Sequence, residues 1–529
     1  MTDPVRTEVV RRGVESACEE MGEALARSAF SPNIKERRDF SCAAFDATGR
    51  MVAHAAHIPV HLGAMPASMA AALDSRPAEA WRPGDVFALN DPYKGGTHLP
   101  DLTLIAPVFS DDAGTRLVGF VADRAHHADV GGREPGSLAP GRGDALAEGV
   151  TIPGVLFWEG GRPVAAAQEI FFANSRTPEE RRGDLAAQWS ALERGKRRLW
   201  ELRERLGPER WDDDLAEVVA YGRRRLARAV QVLPEGEEGV HEDVLDSDGV
   251  DERPVAIRVR VRREGDRVVV DLSGSDPEVV GNLNAPLPVT RSAALYALMV
   301  VCDPTAPPNA GALEVLDLRT KKGTVVDPAW PAQVSGGNVE TSQRIVDVVL
   351  GALGRLVPER VPASSQGTMN NLMVGLVDAD GTRYSYYETM GGGEGATPWR
   401  DGQSGIQTHM TNTQNTPVEA LERAYPLRVH ATRLREGSGG LGTQRGGEGV
   451  ERIIGPRSGV ATVSLLGERR SRGPPGLAGG ADGAPGEDAV DRGDGWTLLP
   501  AKGVVTLRPE ERLRIRSPGG GGHGKTADA

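Results

Sequence analysis

The sequence predicts a multi-domain protein of the mixed α/β (α+β) class, and three observations support this prediction. The chain has 529 residues, whereas one domain usually holds roughly 100–200 residues. Hydrophobic residues make up 39% of the chain and charged residues 26%, as is usual for folded globular proteins. The 67 glycines and 37 prolines predict many tight turns between short elements.

The N-terminal region, residues 1–165, combines helices and strands. Apolar residues recur at helical spacing over residues 4–30, with Pro4 at the start, which predicts a long amphipathic helix. A second helix is expected at about residues 62–73. Short apolar runs bounded by Gly, Pro and Asp predict strands at residues 40–45, 86–89, 102–109 and 117–122.

Three further regions follow along the chain. Residues 166–235 are rich in Arg, Glu and Leu and predict a helical segment with a break near Gly207-Pro208. Residues 236–425 predict a central α/β region with strands between 240 and 273, helices at about 287–302 and 339–356, and glycine-rich polar loops. Residues 426–529 alternate as strands with many turns, which predicts a β-rich C-terminal region.

Charge and cysteine usage narrow the possible functions. The formal net charge of -12 argues against nucleic acid as a partner, because an acidic chain is repelled by phosphates. The three cysteines, Cys18, Cys42 and Cys302, are widely spaced and do not form a zinc or disulfide pattern. No signal-peptide pattern and no long apolar run is present, so we expect a cytoplasmic protein without a membrane anchor.

Two matches to nucleotide-binding motifs are better explained by glycine-rich turns. Residues 519–526 fit the phosphate-loop pattern, but only three residues follow them, and the motif requires a helix at that point. Residues 437–442 fit G-x-G-x-x-G, but more glycines and a strand-like run follow instead of a helix. We therefore expect that this chain does not bind a nucleotide through either segment.

A histidine cluster is the most informative chemical feature. Six of the ten histidines lie between residues 54 and 127. His98 and Asp101 follow one predicted strand, and His126 and His127 follow another. If residues 102–109 and 117–123 form a hairpin, His126 or His127 faces the first pair. Two imidazoles and one carboxylate favour Mn, Fe, Zn or Co over Ca or Mg. The alternative is a set of hydrogen-bonded loop histidines. Structural roles are expected for His54, His57 and His61, and the alternative is that they are further ligands or orient the ligands.

Three polar segments predict further site loops. They are residues 335–344 and 386–395, where glycines adjoin polar side chains, and residues 409–417, which have four side-chain amides or imidazoles within seven residues. From these segments we select four candidate substrate-binding residues, namely Asn338, Glu388, His409 and Asn412. Local turns with capping hydrogen bonds are the alternative explanation for each segment.

Taken together, these segments resemble the hydantoinase B/oxoprolinase family. The resemblance runs through residues 37–42, 58–63, 90–107, 126–132, 336–338, 409–417, 446–447 and 518–524. It implies a B-type subunit that works with an A-type partner, and the A-type partner binds ATP. It also implies a divalent metal (Mn, Zn or Fe), as in the acetone carboxylase branch, where manganese lies on a His-x-x-Asp pair plus a later His. His98 and Asp101 match the pair, and His126 is the best match for the third ligand, with His127 as its competitor.

The resemblance leaves three hypotheses about function. The first is ATP-dependent opening of a cyclic amide, such as a hydantoin or 5-oxoproline, with His127 or Asp129 relaying protons as catalytic residues. The second is ATP-dependent carboxylation of a ketone, although the corresponding carboxylase chain is longer than this one. The third is a non-catalytic scaffold for the A-type subunit. In the first two hypotheses the partners are the A-type subunit and a small cyclic amide or ketone.

Overall fold

The N-terminal region folds around a seven-stranded antiparallel sheet. The computed structural model describes residues 3–55, 57–111 and 113–526. In this first sheet the strand order is β2-β1-β5-β4-β3-β6-β7. Its strands are β1 (Phe40–Phe45), β2 (Met51–His54), β3 (Val86–Leu89), β4 (Asp101–Phe109), β5 (Leu117–His126), β6 (Val155–Glu159) and β7 (Arg162–Pro163). The predicted hairpin is present, and β5 is longer than predicted and ends at His126.

Helices cover both faces of the first sheet. They are α1 (Pro4–Ser28), α2 (Pro32–Lys35), α3 (Ala64–Ser75), α4 (Ala165–Ala173), α5 (Pro178–Leu206) and α6 (Trp211–Ala229). Asp3 caps α1 by accepting hydrogen bonds from the first backbone N–H groups. The predicted break between α5 and α6 falls at Gly207, whose φ of 103° is unfavourable for a residue with a Cβ atom.

The two long helices α5 and α6 pack on the first sheet. Their apolar side chains, among them Leu192, Leu199 and Val218, share one buried core with α1 and with strands β1, β4 and β5. A smaller core on the opposite face is formed by α3. Among the described residues, no helix has the length and the apolar character that crossing a bilayer requires.

The central region contains a second sheet with its own helices. The strand order is β11-β10-β9-β8, and only β10 and β11 are parallel. The strands are β8 (Glu238–Leu245), β9 (Val255–Glu264), β10 (Arg267–Asp271) and β11 (Leu316–Arg319), and the helices are α7 (Leu287–Cys302), α8 (Ala310–Leu313) and α9 (Ser342–Leu356). A π-helical turn at Gly337–Thr341 leads directly into α9.

Two more sheets complete the chain. The third has the order β13-β12-β16-β19, and the fourth has the order β14-β15-β20-β17-β18. Their apolar faces share one core, and the short helix α10 (Val418–Ala424) precedes β14. The strands are β12 (Asn371–Val377), β13 (Arg383–Thr389), β14 (Leu427–Arg435), β15 (Gly449–Pro456), β16 (Val460–Leu466), β17 (Glu487–Asp491), β18 (Trp496–Leu498), β19 (Lys502–Leu507) and β20 (Arg512–Arg516). The predicted α+β class is confirmed.

Glycine-rich segments from distant parts of the chain pack backbone against backbone beside these sheets. Gly520 donates to the Gly447 carbonyl at 2.9 Å, and Gly447 donates to the Glu394 carbonyl at 2.8 Å. A Cβ atom on Gly520 would lie 2.0 Å from the Glu394 oxygen. Both rejected nucleotide motifs lie in this glycine layer, and no helix follows either motif within the described residues.

Candidate metal centre

The hairpin of β4 and β5 brings the predicted metal ligands together. Asp101 at the start of β4 lies directly opposite His126 at the end of β5, and His98 precedes Asp101 by three residues. His98 Nε2 lies 3.2 Å from Asp101 Oδ1 and 3.2 Å from His126 Nδ1. His126 Nδ1 lies 3.3 Å from the same carboxylate oxygen. All three side chains are buried, so three donor atoms form a small triangle away from solvent.

The chemistry of this triangle fits a divalent cation. Burial lowers the pKa of His126 and thus favours the neutral imidazole, which has a free lone pair. Burial opposes ionisation of Asp101, but the facing imidazoles outweigh it and hold its pKa well below the usual range. A carboxylate and neutral imidazoles are the protonation states that bind metals. His98, Asp101 and His126 can therefore hold a metal ion, with donors that suit Mn, Fe or Zn.

The second carboxylate oxygen of Asp101 is fixed by two neighbours. Thr97 Oγ1 donates to Asp101 Oδ2 at 2.6 Å, and His61 Nε2 lies 3.2 Å from the same oxygen. His61 Nδ1 in turn lies 2.8 Å from Ser41 Oγ. His61, for which the sequence predicted a structural role, therefore orients a candidate ligand, as groups around metal sites commonly do.

The ring of His126 is held by stacking against Tyr387. The two ring centroids are 4.5 Å apart, with 14° between their planes. The guanidinium of Arg37 also lies over the Tyr387 ring, 4.9 Å from its centroid. Asn33 Nδ2 donates to the His126 carbonyl at 2.6 Å. Segments far apart in sequence thus fix the orientation of this imidazole.

A hydrogen-bond chain connects Tyr387 with the π-helical turn. The Tyr387 hydroxyl donates to Asn371 Oδ1 at 2.9 Å, and Asn371 Nδ2 donates to Glu340 Oε1 at 2.6 Å. Burial raises the pKa of Glu340 to about 8. The π-helical geometry, which often occurs at functional sites, places Glu340 where it anchors this chain.

The side chains of His127 and Asp129 contact residues outside the triangle of His98, Asp101 and His126. His127 Nε2 lies 2.9 Å from Gln188 Oε1, because successive residues at a strand end point to opposite sides. The Asp129 carboxylate accepts a hydrogen bond from Arg176 Nη1 at 2.9 Å. Their proposed function as proton relays stays a prediction. Of the two adjacent histidines, only His126 faces His98.

The four candidate substrate-binding residues divide into two pairs. Glu388 is fully buried in an ion pair with Arg452, and Asn338 is buried in the π-helical turn. His409 and Asn412 instead line a groove of about 630 Å³. Asn412 also lines an adjoining groove of about 540 Å³. Substrate binding by these residues stays a prediction.

Two loops separate these grooves from the triangle. Pro59 of the first loop lines both grooves and His57 lines the smaller one. His61 of the same loop contacts Asp101. The second loop contains Asn412, whose Nδ2 donates to the His57 carbonyl at 2.9 Å. Val60 N donates to the Met410 carbonyl at 3.2 Å. The two loops therefore contact each other, and the first of them contacts both the groove lining and Asp101.

Several residues around the centre were not selected from the sequence. Asp39 lies opposite His126 because β1 pairs with β5, and its Oδ2 is 4.0 Å from His126 Nδ1. Tyr387, Asn371 and Glu340 come from the third sheet and the central region. Asp39 lies within the motif at residues 37–42, and Tyr387 and Glu340 lie within the predicted site loops 386–395 and 335–344, which were usable signals. Asn371 depends on long-range packing alone.

Together, the fold and the site define a multi-domain α+β protein with a buried His/Asp/His centre at the end of a β-hairpin. The family model described as hydantoinase B/oxoprolinase matches residues 3–526. The chain therefore belongs to the hydantoinase B/oxoprolinase family, as the sequence motifs predicted.

Two relatives illustrate how this chain corresponds to named proteins. The 5-oxoprolinase 1 of Arabidopsis thaliana is 38% identical, over 99% of this chain and 42% of its own length. A protein of Pseudomonas sp. (strain NS671), provisionally named as the B-type component of a D-/L-hydantoinase, is 30% identical, over 99% of this chain and 90% of its own length. The chain thus spans about two fifths of the plant relative and nearly all of the bacterial one.

Two solved structures share the fold. The ATP-dependent caprolactamase from Pseudomonas jessenii superposes with a TM-score of 0.90 at 26% identity, over 99% of this chain and 92% of the other. A nucleotide-free acetone carboxylase superposes with a TM-score of 0.88 at 20% identity, over 99% of this chain and 76% of the other. The second likeness establishes the common fold alone.

Proposed function

We propose that this chain is the B-type subunit of an ATP-dependent cyclic-amide hydrolase and opens the ring at the triangle of His98, Asp101 and His126. The observation that carries this proposal is the buried set of three donor atoms 3.2–3.3 Å apart. The names of the relatives support the reaction class, since they include a 5-oxoprolinase and an ATP-dependent caprolactamase.

The proposed reaction is divided between two subunits. Ring opening adds water to the carbonyl carbon, breaks the C–N bond with protonation of the nitrogen, and releases phosphate by hydrolysis of the resulting acyl phosphate. An amide carbonyl resists this attack until ATP transfers its γ-phosphoryl group to the carbonyl oxygen. We assign this step to an A-type partner. The plant 5-oxoprolinase supports the division, because this chain corresponds to only 42% of its length and the remainder has room for an ATP-binding part.

The residues of this chain hold the three proposed metal ligands in position, provide a charged ligand and keep bulk water out of the site. A divalent cation on the three donors supplies positive charge that polarises a carbonyl and favours ionisation of water. Thr97 and His61 keep Asp101 in its orientation, and Tyr387 keeps the His126 ring in place. The burial of the triangle limits entry of bulk water, which strengthens electrostatic interactions within the site.

Substrate access requires movement of the two loops beside the triangle. We propose that the cyclic amide first occupies the groove lined by His409 and Asn412. The loops then part, which breaks the bonds from Asn412 to the His57 carbonyl and from Val60 to the Met410 carbonyl.

Metal content tests the site, and His127 provides a matched control. Wild type, His126→Ala and His127→Ala are purified after growth with Mn, Fe and Zn, and metal is quantified by plasma mass spectrometry. We expect near-stoichiometric metal in wild type and His127→Ala, and loss of metal in His126→Ala. Equal metal in all three proteins, or none in wild type assembled with its partner, contradicts the proposed centre.

Turnover by the reconstituted complex tests the reaction class. We expect ATP hydrolysis that depends on a cyclic amide and is independent of bicarbonate, and its loss in the His126→Ala variant. ATP hydrolysis that requires a ketone and bicarbonate would instead support the carboxylase alternative. Unchanged turnover in the variant would support the scaffold alternative. The length comparison favours the hydrolase, since this chain covers only 76% of the acetone carboxylase chain.

A further inference from the structure

A second groove adjoins the groove in which the proposed function places the cyclic amide. The larger groove, lined by His409 and Asn412, has a volume of about 630 Å³, and the smaller one has a volume of about 540 Å³. Five residues line both grooves, namely Pro59, Tyr296, Val300, Pro304 and Asn412. The two grooves therefore lie side by side, and one ligand can extend from the larger groove into the smaller one.

The two grooves together offer more space than an unsubstituted ring requires. Pockets of about 300–1,000 Å³ usually hold ligands of drug size, and a bare cyclic amide ring has far fewer atoms than such a ligand. The larger groove alone has a volume of about 630 Å³, so the ring does not need the smaller groove. The smaller groove is therefore available to a side chain that the ring carries.

The smaller groove has an apolar wall. Helix α7 contributes Met299 and Val300, the first loop contributes Leu62, and the turn after α7 contributes the prolines within residues 304–308. Aliphatic side chains offer no hydrogen bonds to a ligand, but their contact with a CH2 group removes apolar surface from water. The wall therefore favours an alkyl or arylalkyl side chain.

Two histidines and a threonine of this groove carry no charge near neutral pH. Burial lowers the pKa of His54 to about 3 and that of His57 to about 4, so both imidazoles are neutral at about pH 7. The hydroxyl of Thr305, which also lines the groove, donates to Asp303 Oδ1 at 2.7 Å. These three side chains therefore supply no charge that would bind an ionic ligand.

The charged residues of the groove lie on helix α1, and their formal charges cancel. Arg11 and Arg12 each pair with Glu8 and with Glu15, at N–O distances of 2.5–3.3 Å. Glu19 also lines the groove, but it is exposed to solvent, where a charge attracts a ligand only weakly. The two arginines and two glutamates of the lining thus leave no net charge for an ionic side chain.

We propose that the smaller groove is a subsite for an uncharged alkyl or arylalkyl side chain on a ring carbon of the cyclic amide. The ring lies in the larger groove beside His409 and Asn412. The side chain crosses the boundary at Tyr296 and packs against Leu62 and Met299. The substrates of this chain are thus cyclic amides with an apolar substituent rather than bare or ionic ones. The placement of the ring rests on the proposed function.

Calorimetry on the purified full-length chain tests the subsite without ATP, partner or turnover. The probes are hydantoin, 5-methylhydantoin, 5-propylhydantoin and 5-(3-aminopropyl)hydantoin. We expect affinity to rise by about threefold to fourfold for each carbon that enters the smaller groove. The aminopropyl compound should bind at least about tenfold more weakly than the propyl compound, because burial of its ammonium group is not compensated. Equal affinities along the alkyl series, tighter binding of the aminopropyl compound, or no binding of the propyl compound overturns the proposal. Ring opening is not needed for this result, so a reconstituted complex that fails to open the ring refutes the proposed function and leaves the alkyl series to decide on the subsite.

A carboxylate placed at the boundary between the grooves tests where the side chain lies. Val300 is half-buried and lines both grooves. We expect Val300→Asp to weaken binding of 5-propylhydantoin at least about tenfold and to strengthen binding of the aminopropyl compound about threefold or more. Val9→Asp, at an exposed position of α1 outside the groove, is the matched control and should leave each affinity within about twofold. An unchanged preference for the propyl compound in Val300→Asp overturns the assignment of the groove.

Discussion

The hydroxyl of Tyr387 provides a sharp test of how the third sheet supports the metal centre. Tyr387→Phe keeps the ring that stacks on His126 but removes the hydrogen bond to Asn371 Oδ1 at 2.9 Å. Asn371 is 1% exposed, so water does not readily replace the lost donor. The loss of one hydrogen bond and the unsatisfied buried oxygen together cost about 1–3 kcal/mol.

The neighbouring tyrosine is a matched control. The Tyr386 hydroxyl is buried and makes no hydrogen bond with any described residue, although it lies on the same strand. Tyr386→Phe is therefore expected to change the free energy of unfolding by less than about 0.5 kcal/mol. Urea denaturation of both variants measures the difference. Equal destabilisation, or no destabilisation of Tyr387→Phe, refutes the hydrogen-bond chain from Tyr387 to Glu340.

Three further predictions concern buried groups in other parts of the fold. Burial raises the pKa of Glu148 to about 7 from 4.5, so its contribution to stability is full below about pH 4.5 and falls by about 3 kcal/mol as pH rises through 7. Glu148→Gln should remove this slope from the pH profile of unfolding, and an unchanged profile contradicts the assignment. Glu388→Gln leaves Arg452 buried without a counter-charge and should cost about 3–5 kcal/mol in urea denaturation. An altered KM with unchanged stability would instead support a substrate-binding role. Gly520→Ala forces a Cβ atom to within 2.0 Å of the Glu394 oxygen and should destabilise by about 3 kcal/mol or more. Gly274→Ala, which meets only one atom at 3.9 Å, should leave the melting temperature nearly unchanged.

Much of the secondary structure was determined by local sequence patterns. The helix α1, the break at Gly207 and the helices α7 and α9 follow from apolar periodicity and from glycine and proline positions, which act over a few residues. The pair of His98 and Asp101 was also evident, because its members are three residues apart. The same locality explains why the motif at residues 437–442 could be assigned to turns, since strand β15 and not a helix follows it.

The rest of the candidate site was decided by tertiary structure. Spacing alone left His126 and His127 open and the family resemblance favoured His126, whereas the pairing of β4 with β5 places His126 opposite Asp101. Glu388 was predicted in a substrate loop, but the fourth sheet brings Arg452 against it and engages its carboxylate. Tyr387, Asn371 and Glu340 reach the centre from the third sheet and the π-helical turn. Strand register and sheet packing bring together residues that are hundreds of positions apart. The free energy that stabilises this arrangement comes from burial of whole sheet faces, and no short segment of the sequence encodes that burial.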